Sequence, residues 1–136
     1  MLYKGNNMKK NLLASLILGC GFLSSCATNS DKISAHVANI GDVDDIEVKD
    51  LRSAKVNDNL SIQASVYNSS RSIQQIYYRC KFFDTNKFQV NNDVQWVPVQ
   101  VYGKSSQDIS CLATSPTAID FKLEISSTGA ALKVYK

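Results

Sequence analysis

The 136-residue chain is 44% apolar and 20% charged, which fits one folded domain of ordinary size and excludes a disordered polymer. Its formal net charge is +3, but Lys4, Lys9 and Lys10 precede a predicted cleavage site. Removing those three from the fifteen basic residues leaves twelve against twelve acidic ones, so there is no basic face for nucleic acid and no single-sign field to steer a charged substrate.

The N-terminal segment reads as an address. Met8-Lys-Lys-Asn is a short positive stretch, and Met8 fits a translation start better than Met1, because residues 1–7 match no part of a signal peptide. Leu12–Leu23 is an apolar run too short to span a bilayer but of the right length for a signal-peptide core. It closes on Leu23-Ser-Ser-Cys26, which resembles a bacterial lipobox. That resemblance implies cleavage before Cys26 and acylation of Cys26, giving a stable membrane anchor. Cys20 is the rival site, but its use would shorten the apolar core and strand Phe22 and Leu23 beyond the cut. A plain secretory signal with an incidental Cys is the other reading. Ala27, rather than Asp, follows Cys26, which points to the outer membrane, on its periplasmic face. The expected organisation is a signal peptide over 1–25, a lipid-anchored tether over 26–43 and a β-domain over 44–136.

His36, the single histidine, falls in the expected tether and reads as solvated. With no second histidine, a His-based metal site or catalytic pair has little to build on. Asp42-Val-Asp-Asp-Ile-Glu47 is an acidic cluster, yet it lacks the Gly and the ligand alternation of a calcium loop, so solvated carboxylates at a domain edge are the plainer reading. No metal and no cofactor are expected.

The first strand is expected from Ile46 to about Lys55, with Ile46, Val48 and Leu51 inward. Asn57-Asp-Asn59 makes a turn. Leu60, Ile62, Ala64 and Val66 then alternate with polar residues as a half-buried strand. After a turn at Asn68–Ser72, Ile76–Asp84 reads as the central strand. Ile76, Tyr78, Cys80 and Phe82 share one face, and Tyr77, Arg79, Lys81 and Phe83 share the other. A short Phe88-Gln-Val90 segment follows. Val94–Tyr102 carries Trp96 and Pro98 on one face, and Pro98 marks it as an edge or bulged strand. Ile109, Cys111 and Ala113 share a face. Ile119–Ser126 alternates as a last clear strand, and Ala130–Lys136 either adds an edge strand or frays. About seven short strands, turn signals every ~8–12 residues and no convincing helix after the signal predict an all-β antiparallel sandwich.

Cys80 and Cys111 remain once Cys20 is removed and Cys26 is lipidated. An oxidising compartment and matching apolar faces favour a disulfide; two buried free thiols are the alternative. No His lies near either Cys in sequence, which argues against a catalytic thiol.

Several segments together resemble the YcfL-type bacterial lipoproteins, a family with a domain of unknown function. They are Leu60–Asn68 ending in Val-Tyr-Asn, Tyr78-Arg79, Phe83-Asp84, Trp96 before a β-run, the turn at Gly103, and Leu112-Ala-Thr-Ser-Pro-Thr-Ala-Ile-Asp-Phe121. The resemblance covers roughly 50–125. This chain departs from the pattern at Cys80, Lys81, Phe83, Asn86-Lys87 and Cys111, and the joint appearance of two unusual cysteines adds to the case for their bridging. The resemblance implies an immunoglobulin-like β-sandwich on a membrane anchor, without enzymatic activity, in a setting linked to peptidoglycan assembly.

The leading functional expectation is a non-catalytic interaction module for an envelope protein, using Tyr77, Arg79, Lys81 and Phe83. An Arg flanked by aromatics on an outer sheet face matches interface hot-spot composition. The plainer alternative is that another element covers Tyr77 and Phe83, leaving Arg79 a solvated strand charge. A glycan or peptidoglycan binder, with Trp96, Tyr102 and Tyr67 as stacking platforms, is the second expectation, although a core position is the plainer reading of Trp96. No Ser-His-Asp set, His-rich metal motif or Gly-rich phosphate loop is recognisable, and scattered carboxylates cannot be paired from sequence, so a hydrolase is the third and least supported reading. Oligomeric state is left open.

Overall fold

The computed structural model describes residues 29–90 and 94–128. The signal segment, Cys20, Cys26 and the suggested edge strand at Ala130–Lys136 lie outside the described residues. One helix, α1 (Asn29–His36), precedes seven strands: β1 (Val37–Ile40), β2 (Ile46–Val56), β3 (Asn59–Asn68), β4 (Gln74–Phe83), β5 (Val97–Val101), β6 (Ser106–Leu112) and β7 (Asp120–Ser126).

The strands form two sheets, a first in the order β1-β7-β4-β5 and a second in the order β2-β3-β6. The chain crosses from β3 in the second sheet to β4 in the first, back to β6, and again to β7. This is the Greek-key crossing common to immunoglobulin-like sandwiches. The expected all-β sandwich is therefore the observed fold. All pairings are antiparallel except β1 with β7, which is parallel.

The inner faces follow from strand alternation. From the first sheet come Ile76, Cys80, Phe82, Phe121, Leu123, Ile125 and Val101; from the second come Leu51, Leu60, Ile62, Ala64, Val66 and Ile109. Each large apolar side chain buried here contributes roughly 1.5–3 kcal/mol. β4 lies inside its sheet, between β7 and β5, as a central strand should. β5 is an edge strand, so Pro98, which cannot donate a ladder bond, is tolerated opposite Tyr77.

Local chemistry sets the turns. Asn57 and Asp58 both take positive φ (48° and 66°), and Val56 pairs with Asn59 across them. A two-residue hairpin loop needs that backbone, and Asn and Asp adopt it at low cost. Between β4 and β5, Asp84 Oδ1 accepts from the backbone N–H of Asn86 at 2.9 Å and of Phe88 at 3.0 Å. Phe88–Val90 forms no strand of its own; it contributes a single bridge, Phe83 to Gln89.

Two expectations are corrected. The segment read as a tether over 26–43 contains α1 and β1. β1 completes the first sheet by pairing Val37 with Leu123 and Ile40 with Ser126, so the folded domain begins well before Asp44. His36 is not solvated. It stacks on Phe121 with ring centroids 4.5 Å apart, and its nitrogens approach the Lys32 carbonyl at 2.9 Å and Asp120 Oδ1 at 3.2 Å. The physical reason is Ile33 and Val37, which pack against the core and pull this polar stretch onto the sandwich.

The sandwich has two ends. The upper end holds the start of β4, the end of β7 and the Asn68–Ser72 loop. The lower end holds the end of β4, the start of β7, the β2–β3 turn and His36.

Candidate functional site

β4 presents Tyr77, Arg79, Lys81 and Phe83 to the outside of the first sheet, as its alternation predicts. The register arranges them in rows. Pro98, Tyr77, Ser126 and Ile40 make one row across all four strands, and Arg79, Glu124 and Ala38 make the next. Lys81 lies opposite Lys122 and Phe83 opposite Asp120.

Glu124 organises this face. Its residue is only 7% exposed, although it sits on the outward side of the sheet. Arg79 Nε reaches Glu124 Oε2 at 2.5 Å, and Lys81 Nζ reaches the other oxygen at 3.0 Å. Lys81 thereby leans diagonally away from Lys122, its like-charged neighbour across the ladder. Burial by itself pushes the Glu124 carboxyl up, but the hydrogen bonds and charges of Arg79 and Lys81 outweigh it, and the group is held below its ordinary value. The Arg79 guanidinium also lies over the Trp96 ring, 4.2 Å from its centre. This is a cation–π contact on top of a charge-assisted hydrogen bond.

Arg79 is therefore not a loose surface charge. It is fixed from both sides, by Trp96 next to the edge strand and by Glu124 on β7. Tyr77, Arg79, Lys81, Phe83 and Trp96 are all partly exposed, so neither full burial nor full solvation describes the face. Trp96 is not a core residue; its role as the platform under Arg79 was hidden from sequence because it depends on β5 pairing with β4.

The other predicted residues distribute as follows. Cys80 on β4 and Cys111 on β6 form a disulfide that ties the two sheets together, with Cα atoms 6.2 Å apart. Cys26, the expected lipidation site, lies outside the described residues. Trp96, Tyr102 and Tyr67 do not come together. Tyr67 is on β3 of the second sheet beneath Lys49, while Tyr102 is exposed past the end of β5. Within the acidic cluster, a hydrogen bond from the Asp42 side chain and the charges of Asp42 and Asp45 push Asp44 up. Among the described residues no set of three or more His, Cys, Asp or Glu is placed to hold a metal ion. A shallow polar depression of about 490 Å³ crosses the outside of the second sheet, lined by Lys49, Asp50, Arg52, Gln63, Ser65 and Asp108.

One structural residue was missed in sequence reading. Asn68 is fully buried. Its Nδ2 donates to the carbonyls of Ser72 at 2.7 Å and Val101 at 2.9 Å, and its Oδ1 accepts from the Ser70 N–H at 2.9 Å and hydroxyl at 2.7 Å. It joins β3 to β5 and shapes the upper-end loop. The signal in the sequence was an Asn in phase with the inward residues Ala64 and Val66.

A family model described as a protein of unknown function, DUF1425, matches residues 35–127. The chain belongs to the DUF1425 family. The match starts one residue before His36, in agreement with a domain that includes β1. No curated protein matches the chain. Among solved structures, Campylobacter jejuni cj0090 superposes with a TM-score of 0.56 at 18% identity, covering 66% of this chain and 95% of that one. A DUF1425 family member from a Shewanella species superposes with a TM-score of 0.55 at 20% identity, covering 59% of this chain and 75% of that one. At these identities the two structures share the DUF1425 chain's fold.

Proposed function

We propose that this DUF1425 protein is a non-catalytic, lipid-anchored envelope protein that recognises a protein partner through the outer face of its first sheet. The observation that carries the reading is the fixed Arg79, held between Trp96 at 4.2 Å and Glu124 at 2.5 Å and flanked by partly exposed Tyr77 and Phe83. An Arg immobilised before binding loses little side-chain entropy on association, which favours affinity. Arg and aromatic residues are the types that dominate interface energetics. The lipobox-like Leu23–Cys26 and the following Ala27 support anchoring at the periplasmic face of the outer membrane. The resemblance to YcfL-type lipoproteins supports a role beside peptidoglycan assembly. The same resemblance supports a non-catalytic role.

The reading is tested by capturing partners from envelope membranes with the full lipidated protein and with Tyr77→Ala and Arg79→Ala. The expected result is loss of one dominant partner by roughly tenfold or more, as for a hot-spot residue, with unchanged far-ultraviolet circular dichroism. Undiminished capture by both variants refutes this face as the binding site.

A further inference from the structure

We infer that the lower end of the sandwich is a membrane-contact surface, which lays the domain against the lipid leaflet that holds its anchor. The inference rests on the lipid-anchor reading of Cys26 and goes beyond it, because an anchor alone leaves the domain free to stand away from the bilayer.

α1 begins at Asn29, so three residue steps separate it from Cys26. Fully extended, they span at most about 10–11 Å. The eight-residue helix adds roughly 12 Å at 1.5 Å per residue. His36, at the far end of that helix, contacts Asp120 and Phe121 at the start of β7. The lower end is thus held within about 25 Å of the acylated Cys along the chain, with little slack. A flexible tether over 26–43 would have allowed any orientation; a docked helix and a paired β1 do not.

The lower end also exposes apolar side chains. Phe88, in the loop after β4, is 71% exposed, and Ile119, just before β7, is 56% exposed. The Ile119 N–H donates to the Phe83 carbonyl, and the backbone of Phe88 bonds Asp84, so both side chains flank the same strand end. Ile119 also lines a small cavity with Lys32 and His36, which places it beside α1. Val56 and Leu112, at the ends of β2 and β6, are exposed on the same end. Lys55 ties β2 to it by donating to the carbonyls of Pro116 and Ala118.

Charge is mixed at both ends. Exposed Lys32 and Lys87 stand at the lower end beside Asp58, Asp84 and Asp120, and Asp42, Asp44 and Asp45 stand at the upper end beside Arg71 and Lys104. The orientation therefore rests on reach and on the exposed apolar side chains, with Lys32 and Lys87 placed to meet anionic headgroups. Because the anchor keeps the surface close, even weak intrinsic affinity suffices to keep it seated.

The test reconstitutes the full lipidated protein in vesicles of phosphatidylethanolamine with about a quarter phosphatidylglycerol, some lipids carrying a nitroxide. An environment-sensitive fluorophore is attached to Phe88→Cys, Ile119→Cys or Tyr102→Cys in separate samples, and mass spectrometry of the Cys26 peptide reads the acylation. Probes at 88 and 119 are expected to be quenched several-fold more than the probe at 102, with less quenching when Lys32→Glu and Lys87→Glu are added. Equal quenching at all three positions in acylated protein overturns the surface while leaving the anchor reading intact. A shielded but unquenched probe at 88 assigns the end to a protein or a second copy and likewise overturns it. An unacylated Cys26 peptide refutes the anchor reading, and this inference with it.

Discussion

Arg79 on β4 and Glu124 on β7 sit directly opposite in register and are joined by a 2.5 Å hydrogen bond. Lys81 shares the carboxylate, and Trp96 supports the guanidinium from the other side. The group is mostly shielded from water, so its energetics fall between those of a surface pair and a buried one. Glu124→Gln is expected to cost about 2 kcal/mol at neutral pH, read as a lower urea midpoint with an unchanged slope. The carboxyl is held below its ordinary value, so its stabilisation is complete above about 4.5 and is lost as pH falls through the lowered native value. Wild type and Glu124→Gln should therefore converge in stability at strongly acidic pH. A difference that stays constant down to acidic pH would contradict the ion-pair assignment.

Asn68→Ala should be among the most disruptive single polar substitutions. It leaves the Ser70 N–H without its acceptor and removes the Nδ2 donor from the Ser72 and Val101 carbonyls, of which Ser72 keeps the Ser70 hydroxyl, and it empties a fully buried position. A loss of about 2–4 kcal/mol is expected, from unpaired buried groups. Thermal unfolding of the variant checks it.

Gly103→Ala tests a close approach of two backbones. A Cβ at Gly103 would lie 2.4 Å from the Arg71 carbonyl oxygen and 2.5 Å from its carbon. No side-chain rotation relieves a clash with main chain, so the upper-end loop must shift. The expected cost is about 1–3 kcal/mol, seen as a drop in Tm of several degrees.

The disulfide closes a sequence separation of 31 residues, worth roughly 3–4 kcal/mol by the chain-entropy argument. Cys80→Ala and Cys111→Ala open the same loop. Each single variant and the double variant should therefore lose similar stability, within about 1 kcal/mol. A double variant that loses the sum of both singles would instead assign the cost to packing.

Much of the sandwich was legible because its strands alternate cleanly. Leu60–Val66, Ile76–Phe82 and Phe121–Ile125 carry their burial in their own sequence, and Pro98 marked an edge strand by its missing donor. β2 shows where alternation needs help. Ile46 and Leu51 are both inward despite opposite parity, because the register shifts between Val48 and Asp50 and leaves Lys49 as an extra residue. β1 was illegible for another reason. Val37–Ile40 is only four residues long, at the end of a polar stretch, and gains its place from pairing with β7 and from Ile33 and Val37 on the core. The site divides in the same way. The outward set of Tyr77, Arg79, Lys81 and Phe83 follows from β4 alone. Its organisation by Trp96 and Glu124 depends on which strands flank β4, a long-range fact that no local pattern encodes.

The most direct test of the account is site-specific photo-crosslinking in intact envelopes. A photoreactive residue is placed at Tyr77 or Pro98 on the outer first sheet, and at Gln63 or Ser110 on the outer second sheet, in the lipidated protein. The account predicts one discrete protein adduct from the first pair of positions and none from the second. Adducts from the second sheet alone, or equally from both, would contradict it.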